Sequence, residues 1–260
     1  MGHETVFYDE LRPDEFAERV RRCPIAYLPL GTLEWHGRHL PLGADGLQAR
    51  GVFELLAGRV GGVVMPMLFL GPDCKQIEPD GTAYFGMDTL SFEQGHFQPL
   101  IGSAYHIDED LFTALLDTIV RNLARAGFRA VIGHGHGPSN DTFSRLAPEF
   151  GAKHGLHLFT MYDLSGRRDE RGLMTDHAAY NETSLVMALR PELVDRDAIR
   201  RDPVPTGIWG RSPWDASEST GKEIIDANVD VMVKKLEDLN ATLPKSAIHD
   251  TYHHVKHLIQ

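Results

Sequence analysis

The chain has 260 residues, 42% hydrophobic and 24% charged, with 37 Asp and Glu against 26 Lys and Arg and a formal net charge of -11. That balance suits a soluble globular protein with a sizeable core and excludes a disordered chain, while the negative surface field disfavours nucleic acid and anionic lipid as partners. Cys23 and Cys74 offer at most one bridge in a chain whose size needs none, no apolar run approaches the roughly 18 residues of a membrane span, and the first residues lack the pattern of a signal peptide, so a cytoplasmic protein without membrane attachment is expected.

In chain order, the spacing predicts a helix over residues 14–22 after Pro13, then a buried strand over residues 25–30 that turns at Gly31. A helix over residues 47–60 and a strand over residues 63–67 complete a β-α-β unit. Residues 71–106 show no sustained period and predict a long functional loop with room for one hairpin. Leu111, Leu115, Ile119 and Leu123, with Phe112, Leu116 and Val120 beside them, form one apolar stripe at helical spacing, started by Asp108 and stopped by Gly127, and residues 128–132 read as the next buried strand. A weaker helix over residues 140–154, a strand over 156–161 and helices over 177–189 and 221–243 follow, with residues 201–220 as a surface excursion. No linker divides the chain, so one domain over residues 1–260 is expected, its alternation demanding a mostly parallel sheet covered on both faces.

Fourteen histidines invite a search for metal ligands. Just past the first strand come Glu34, Trp35 and His36, with Asp45 nine residues after His36. This is the carboxyl edge at which open α/β sheets bind ligands. Glu34 and His36 alternate on an extended segment and point the same way, so they can meet one ion or two adjacent ions. The third strand likewise ends in Gly133-His134-Gly135-His136-Gly137-Pro138. Imidazoles with carboxylates suit zinc or manganese, and Asp45 is the candidate bridge between a pair of ions. A phosphate-binding reading of this glycine-spaced loop, with Asp163 as a ribose partner, fails because the third glycine falls at Pro138 and imidazoles occupy the loop. His39 is read as stabilising its loop, and His136 stays open between ligand, supporting partner and bystander. His96, His106, His154, His157, His249, His253, His254 and His257 are assigned no role.

The run LPLGTLEWHGRHLPLGAD at residues 28–45 resembles the opening motif of the creatininase family, Gly133-His134-Gly135 resembles its second, and HAAYNETSL at residues 177–185 its third. The resemblance implies a three-layer α/β/α sandwich with a mostly parallel sheet, a dinuclear metal centre, hydrolysis of a small non-peptide or cyclic amide by a metal-activated hydroxide, and a homohexamer. Glu34, His36, Asp45 and His134 fall on metal-ligand positions, Glu182 on a glutamate able to close the site, and His177 on the catalytic histidine. The expected cofactors are two divalent ions, zinc foremost, with manganese or iron(II) open. Glu34 and His134 would hold one, His36 and Glu182 the other, with Asp45 between them.

His177 would pass a proton to the leaving amine, with Asp176 orienting it. A metal-binding member that serves as a scaffold without hydrolysis is the alternative reading. Two departures from the family pattern bear on the second ion and on the substrate. His136 stands two residues after the motif-two histidine in place of a glutamate, which bears on the second ion's ligation, and Leu173 replaces an aromatic four residues before His177. Loss of that stacking face, in an acidic chain with few basic residues near the motifs, predicts a neutral or weakly charged small-molecule amide, such as a formamide or lactam, and poor hydrolysis of creatinine.

Overall fold

The computed structural model describes residues 5–88, 99–103, 105–201 and 206–245. His96, His249, His253, His254 and His257 lie outside these. Its elements are α1 (Pro13–Arg22), β1 (Ile25–Leu30), α2 (Ala44–Val60), β2 (Val63–Val64), β3 (Lys75–Ile77), β4 (Ala83–Phe85), α3 (Glu109–Arg125), β5 (Ala130–Gly135), α4 (Gly137–His154), β6 (His157–Phe159), α5 (Met161–Ser165), α6 (Tyr180–Leu189), α7 (Arg196–Arg201) and α8 (Glu218–Thr242).

β1 and β5 are buried along their whole length because they run at the centre of a parallel sheet ordered β2-β1-β5-β6. Side chains alternate across that sheet. Ile25 and Tyr27 of β1 pack with Val52, Phe53 and Leu56 of α2 and with Met232 and Leu236 of α8. Ala26, Leu28 and Leu30 pack on the other face with Phe112 and Leu116 of α3 and Phe143 and Phe150 of α4. Two helical layers therefore cover one sheet, the α/β sandwich the sequence pattern predicts. Among the described residues no helix is long and apolar enough to cross a membrane.

Differences from the sequence expectation fall at element ends. The strand expected over residues 63–67 keeps ladder pairing only at Val63–Val64, since Pro66 has no N–H to donate. The chain rejoins β1 beyond it, where Leu68 donates to the Pro29 carbonyl and Gly31 to the Leu68 carbonyl. The long loop contains one hairpin, β3 against β4, while residues 89–98 and 104 are outside the described set. α5 and α7 were not anticipated. The helix expected from residue 177 starts only at Tyr180, because Ala178 takes a left-handed φ of 51°. α2 starts at Ala44, earlier than its periodicity indicates, which puts Asp45 in its first turn.

Candidate metal centre

The parallel strands deliver their following segments to one edge of the sheet. β1 leads into Glu34 and His36, α2 presents Asp45, the turn after β5 presents His136, and α6 presents Glu182. Each of these five side chains is at most 4% exposed. His36 Nε2 lies 3.5 Å from Asp45 Oδ1 and 3.7 Å from Glu182 Oε2, and His136 Nε2 lies 3.4 Å from Glu34 Oε2. Such gaps are long for hydrogen bonds, yet close to the roughly 3.5 Å between donors that each sit about 2.1 Å from a shared ion. Three sets of candidate ligands result: Glu34 with Asp45 and His136, His36 with Asp45 and Glu182, and Glu34 with His36 and His177. Glu34, His36 and Asp45 each belong to two of them, and Asp45 joins the first two.

Glu34 Oε2, His36 Nε2 and Asp45 Oδ2 are buried without a hydrogen-bond partner, a costly state for polar atoms unless a cation satisfies them. Electrostatics point the same way. Burial, then the neighbouring Asp73, holds the Glu34 carboxyl well above its ordinary range, and burial with Asp45 does the same for Glu182. Burial pushes the His36 imidazole down, but Asp45, Glu182 and Glu34 outweigh it and lift the group to about 10. Burial also opposes charge on Asp45, where His36 prevails and keeps the carboxyl below the usual carboxylate range. Several buried carboxylates thus crowd one another around His36, a repulsion that divalent cations would relieve.

The structure brings Glu34, His36, Asp45 and Glu182 together but leaves His134 out of all three ligand sets, and His136 stands where His134 was expected. The cause is Gly135. Its φ of 152° and its close approach to β1, where a Cβ would sit 1.9 Å from the Leu30 carbonyl oxygen, turn the chain off the strand. His136 then donates its N–H to that carbonyl at 2.7 Å, and Asn140 Nδ2 holds the Gly135 carbonyl at 2.7 Å. His134 remains on the strand, fully buried and edge-on to Tyr162 at 4.5 Å, where burial lowers its imidazole to about 3.

His177 stands beside the cluster, its ring centroid 4.3 Å from that of His36. Its Nε2 lies 2.8 Å from the Trp35 carbonyl oxygen. A carbonyl only accepts, so Nε2 carries the proton and the Nδ1 lone pair stays open. Burial, then His36, lowers this imidazole to about 3. Asp176 does not orient it. That carboxylate accepts from the Asn181 and Glu182 N–H groups at 2.7 and 3.0 Å and so caps α6. Ala178, strained into its left-handed turn, donates to Glu182 Oε2 at 2.7 Å and ties the histidine segment to that carboxylate. His39 bonds Thr183 Oγ1 at 2.9 Å and steadies its loop as expected, while Asp163 accepts from Thr160 and caps α5.

Sequence reasoning missed several residues of the surrounding cavity, which has a volume of about 510 Å³. Asp73 Oδ1 lies 3.7 Å from His136 Nε2. Gly86, with φ 50°, makes room there, since a Cβ would meet Asp73 Oδ2 at 2.3 Å and Glu34 Oε1 at 2.8 Å. Asp73 belongs to the aperiodic loop, where no spacing could reveal it. Leu173 is in the core, 1% exposed, and does not line the cavity. The indole face comes from Trp209, whose backbone pairs with that of His177 in both directions, at 2.8 and 2.9 Å. The premise drawn from Leu173 about a missing aromatic wall is therefore corrected. A larger groove of about 820 Å³, between α1 and the end of α2, holds none of the unpartnered buried atoms.

Comparison with known proteins bears on the family. A creatinine amidohydrolase of Pseudomonas putida is 29% identical over 78% of this chain and 79% of its own length. The solved structure "Creatininase Mn" aligns at 25% identity with a TM-score of 0.68, covering 91% of this chain and 99% of that one. A putative creatinine amidohydrolase from Bacteroides fragilis aligns with a TM-score of 0.66 over 92% of this chain and 98% of its own, and at 19% identity it speaks for the fold alone. The family model "Creatininase: Creatinine amidohydrolase" matches residues 9–236, and with nearly the whole chain so matched, this protein belongs to the creatininase family.

Proposed function

We propose that this chain is a metal-dependent amidohydrolase that cleaves a small non-peptide or cyclic amide, with two divalent ions held by Glu34, Asp45 and His136 and by His36, Asp45 and Glu182. The observation that carries the reading is the pair of buried donor sets sharing Asp45, with His177 at their edge in one cavity. The mixed oxygen and nitrogen donors suit zinc, manganese or iron(II), and manganese is named for a related creatininase. Divalent ions held there would bring the pKa of water towards neutrality and polarise a carbonyl.

The protein's own groups account for the rest. His177 Nδ1 takes the proton of the attacking water and returns it to the leaving nitrogen, while the Trp35 carbonyl holds the tautomer this requires. Ala178 keeps Glu182 in place through its N–H. Trp209 and Tyr162 line the cavity in which the substrate would sit.

Exhaustive chelation, verified by elemental analysis, is expected to abolish turnover of a panel of formamides and lactams, and manganese or zinc to restore it. Full activity in the chelated protein would reject the reading. The ligand sets make a second prediction. His136→Ala should retain about one ion equivalent and His134→Ala about two, because only the former removes a donor. Metal analysis of both variants checks this, and the opposite pattern would return His134 to the ligand set.

A further inference from the structure

We infer that the substrate carries a carboxylate, held by the guanidinium of Arg168 at the mouth of the cavity while the scissile amide lies against the donor cluster. The inference rests on the hydrolase reading above and specifies its substrate class.

The cavity is lined by carboxylates, those of Asp73 and Asp176 in addition to the three in the cluster, and by one Lys or Arg side chain among the described residues, Arg168. In so acidic a lining an arginine would be expected to pair with a carboxylate. Arg168 instead lies over the ring of Tyr162, its Cζ 4.5 Å from the centroid, with no ion pair to any described residue. That ring is clamped. Its hydroxyl donates to the Met174 carbonyl at 2.6 Å and its ring packs perpendicular to that of His134. Stacking fixes the guanidinium through its face and leaves its N–H edges open for the bidentate geometry that a carboxylate matches.

The neighbouring acids have other work. Asp176 is committed to capping α6, and the carboxylates of the cluster are the proposed ligands of the ions. Asp73 accepts from the Cys74 N–H and lies beside His136, so the exposed guanidinium of Arg168 is left available for a carboxylate brought by the ligand. This replaces the neutral amide expected from composition, which averages charge over the chain and cannot see one cation set beside the centre.

The test uses metal-loaded full-length protein and two matched probe pairs, N-formylglycine with its methyl ester and pyroglutamate with 2-pyrrolidinone. Binding is measured by calorimetry and hydrolysis by steady-state kinetics. The acid of at least one pair is expected to be favoured by about tenfold or more. In Arg168→Gln this ratio should fall towards one, and Arg168→Lys, which keeps the charge but not the fork, should give an intermediate ratio. Circular dichroism and metal content control for folding. Absence of an acid preference in both pairs, or a preference that Arg168→Gln retains in full, overturns the inference. Acid preference in binding that depends on Arg168, without hydrolysis of any probe, supports the carboxylate site and counts against the hydrolase reading alone.

Discussion

Asp45→Ala is expected to lose both ions and all measurable turnover, whereas Glu182→Gln should lose one ion and keep the other. Asp45 is the residue common to the two proposed ion-binding sets, Glu34 with Asp45 and His136 and His36 with Asp45 and Glu182. It is 4% exposed in the first turn of α2, with Oδ2 unpartnered and Oδ1 3.5 Å from His36 Nε2. Its removal would leave each set with two donors and bring two divalent charges within about 4 Å of each other without a shared anion, an arrangement that Coulomb repulsion penalises steeply in a low-dielectric site. Elemental analysis after gel filtration, with circular dichroism to confirm folding, measures the outcome. Two retained equivalents in Asp45→Ala would show that the carboxylate is not shared.

Much of this centre was legible because it sits where the strand pattern ends. The alternation of strands and helices implies the sheet, and the carboxyl edge of β1 puts Glu34, His36 and Asp45 near one another from sequence alone. What could not be read was direction. His134 and His136 share a face by strand periodicity, and only the glycine turn at Gly135 and its bond to the Leu30 carbonyl separate them. In the same way Leu173 lies close in sequence to His177 but points into the core, while the indole of the cavity comes from Trp209, more than thirty positions downstream. Asp73 and Arg168 reach the cavity from segments without periodicity, so their placement depends on tertiary contacts: a hairpin root for one and a clamped tyrosine for the other.

His177→Ala is expected to keep its ions but lose on the order of a hundredfold or more in kcat, the usual scale for a group that transfers a proton in the transition state. His177 forms a candidate set with Glu34 and His36 but is in neither of the two sets that share Asp45, and its Nε2 is committed to the Trp35 carbonyl, so its removal takes no donor from those two. Burial and the nearby His36 keep the imidazole neutral, its pKa lowered to about 3, which leaves Nδ1 ready to accept a proton rather than already holding one. A group so placed can gain charge only while the reaction supplies a proton, and it then gives that proton up readily to an amine. The effect should therefore fall on kcat, with KM little changed, because the imidazole contributes more to the transition state than to substrate binding. Metal analysis and steady-state kinetics on the best amide of the panel decide the matter. A variant with normal metal content and near-normal kcat would place the proton transfer on another group, whereas loss of an ion would make His177 a ligand.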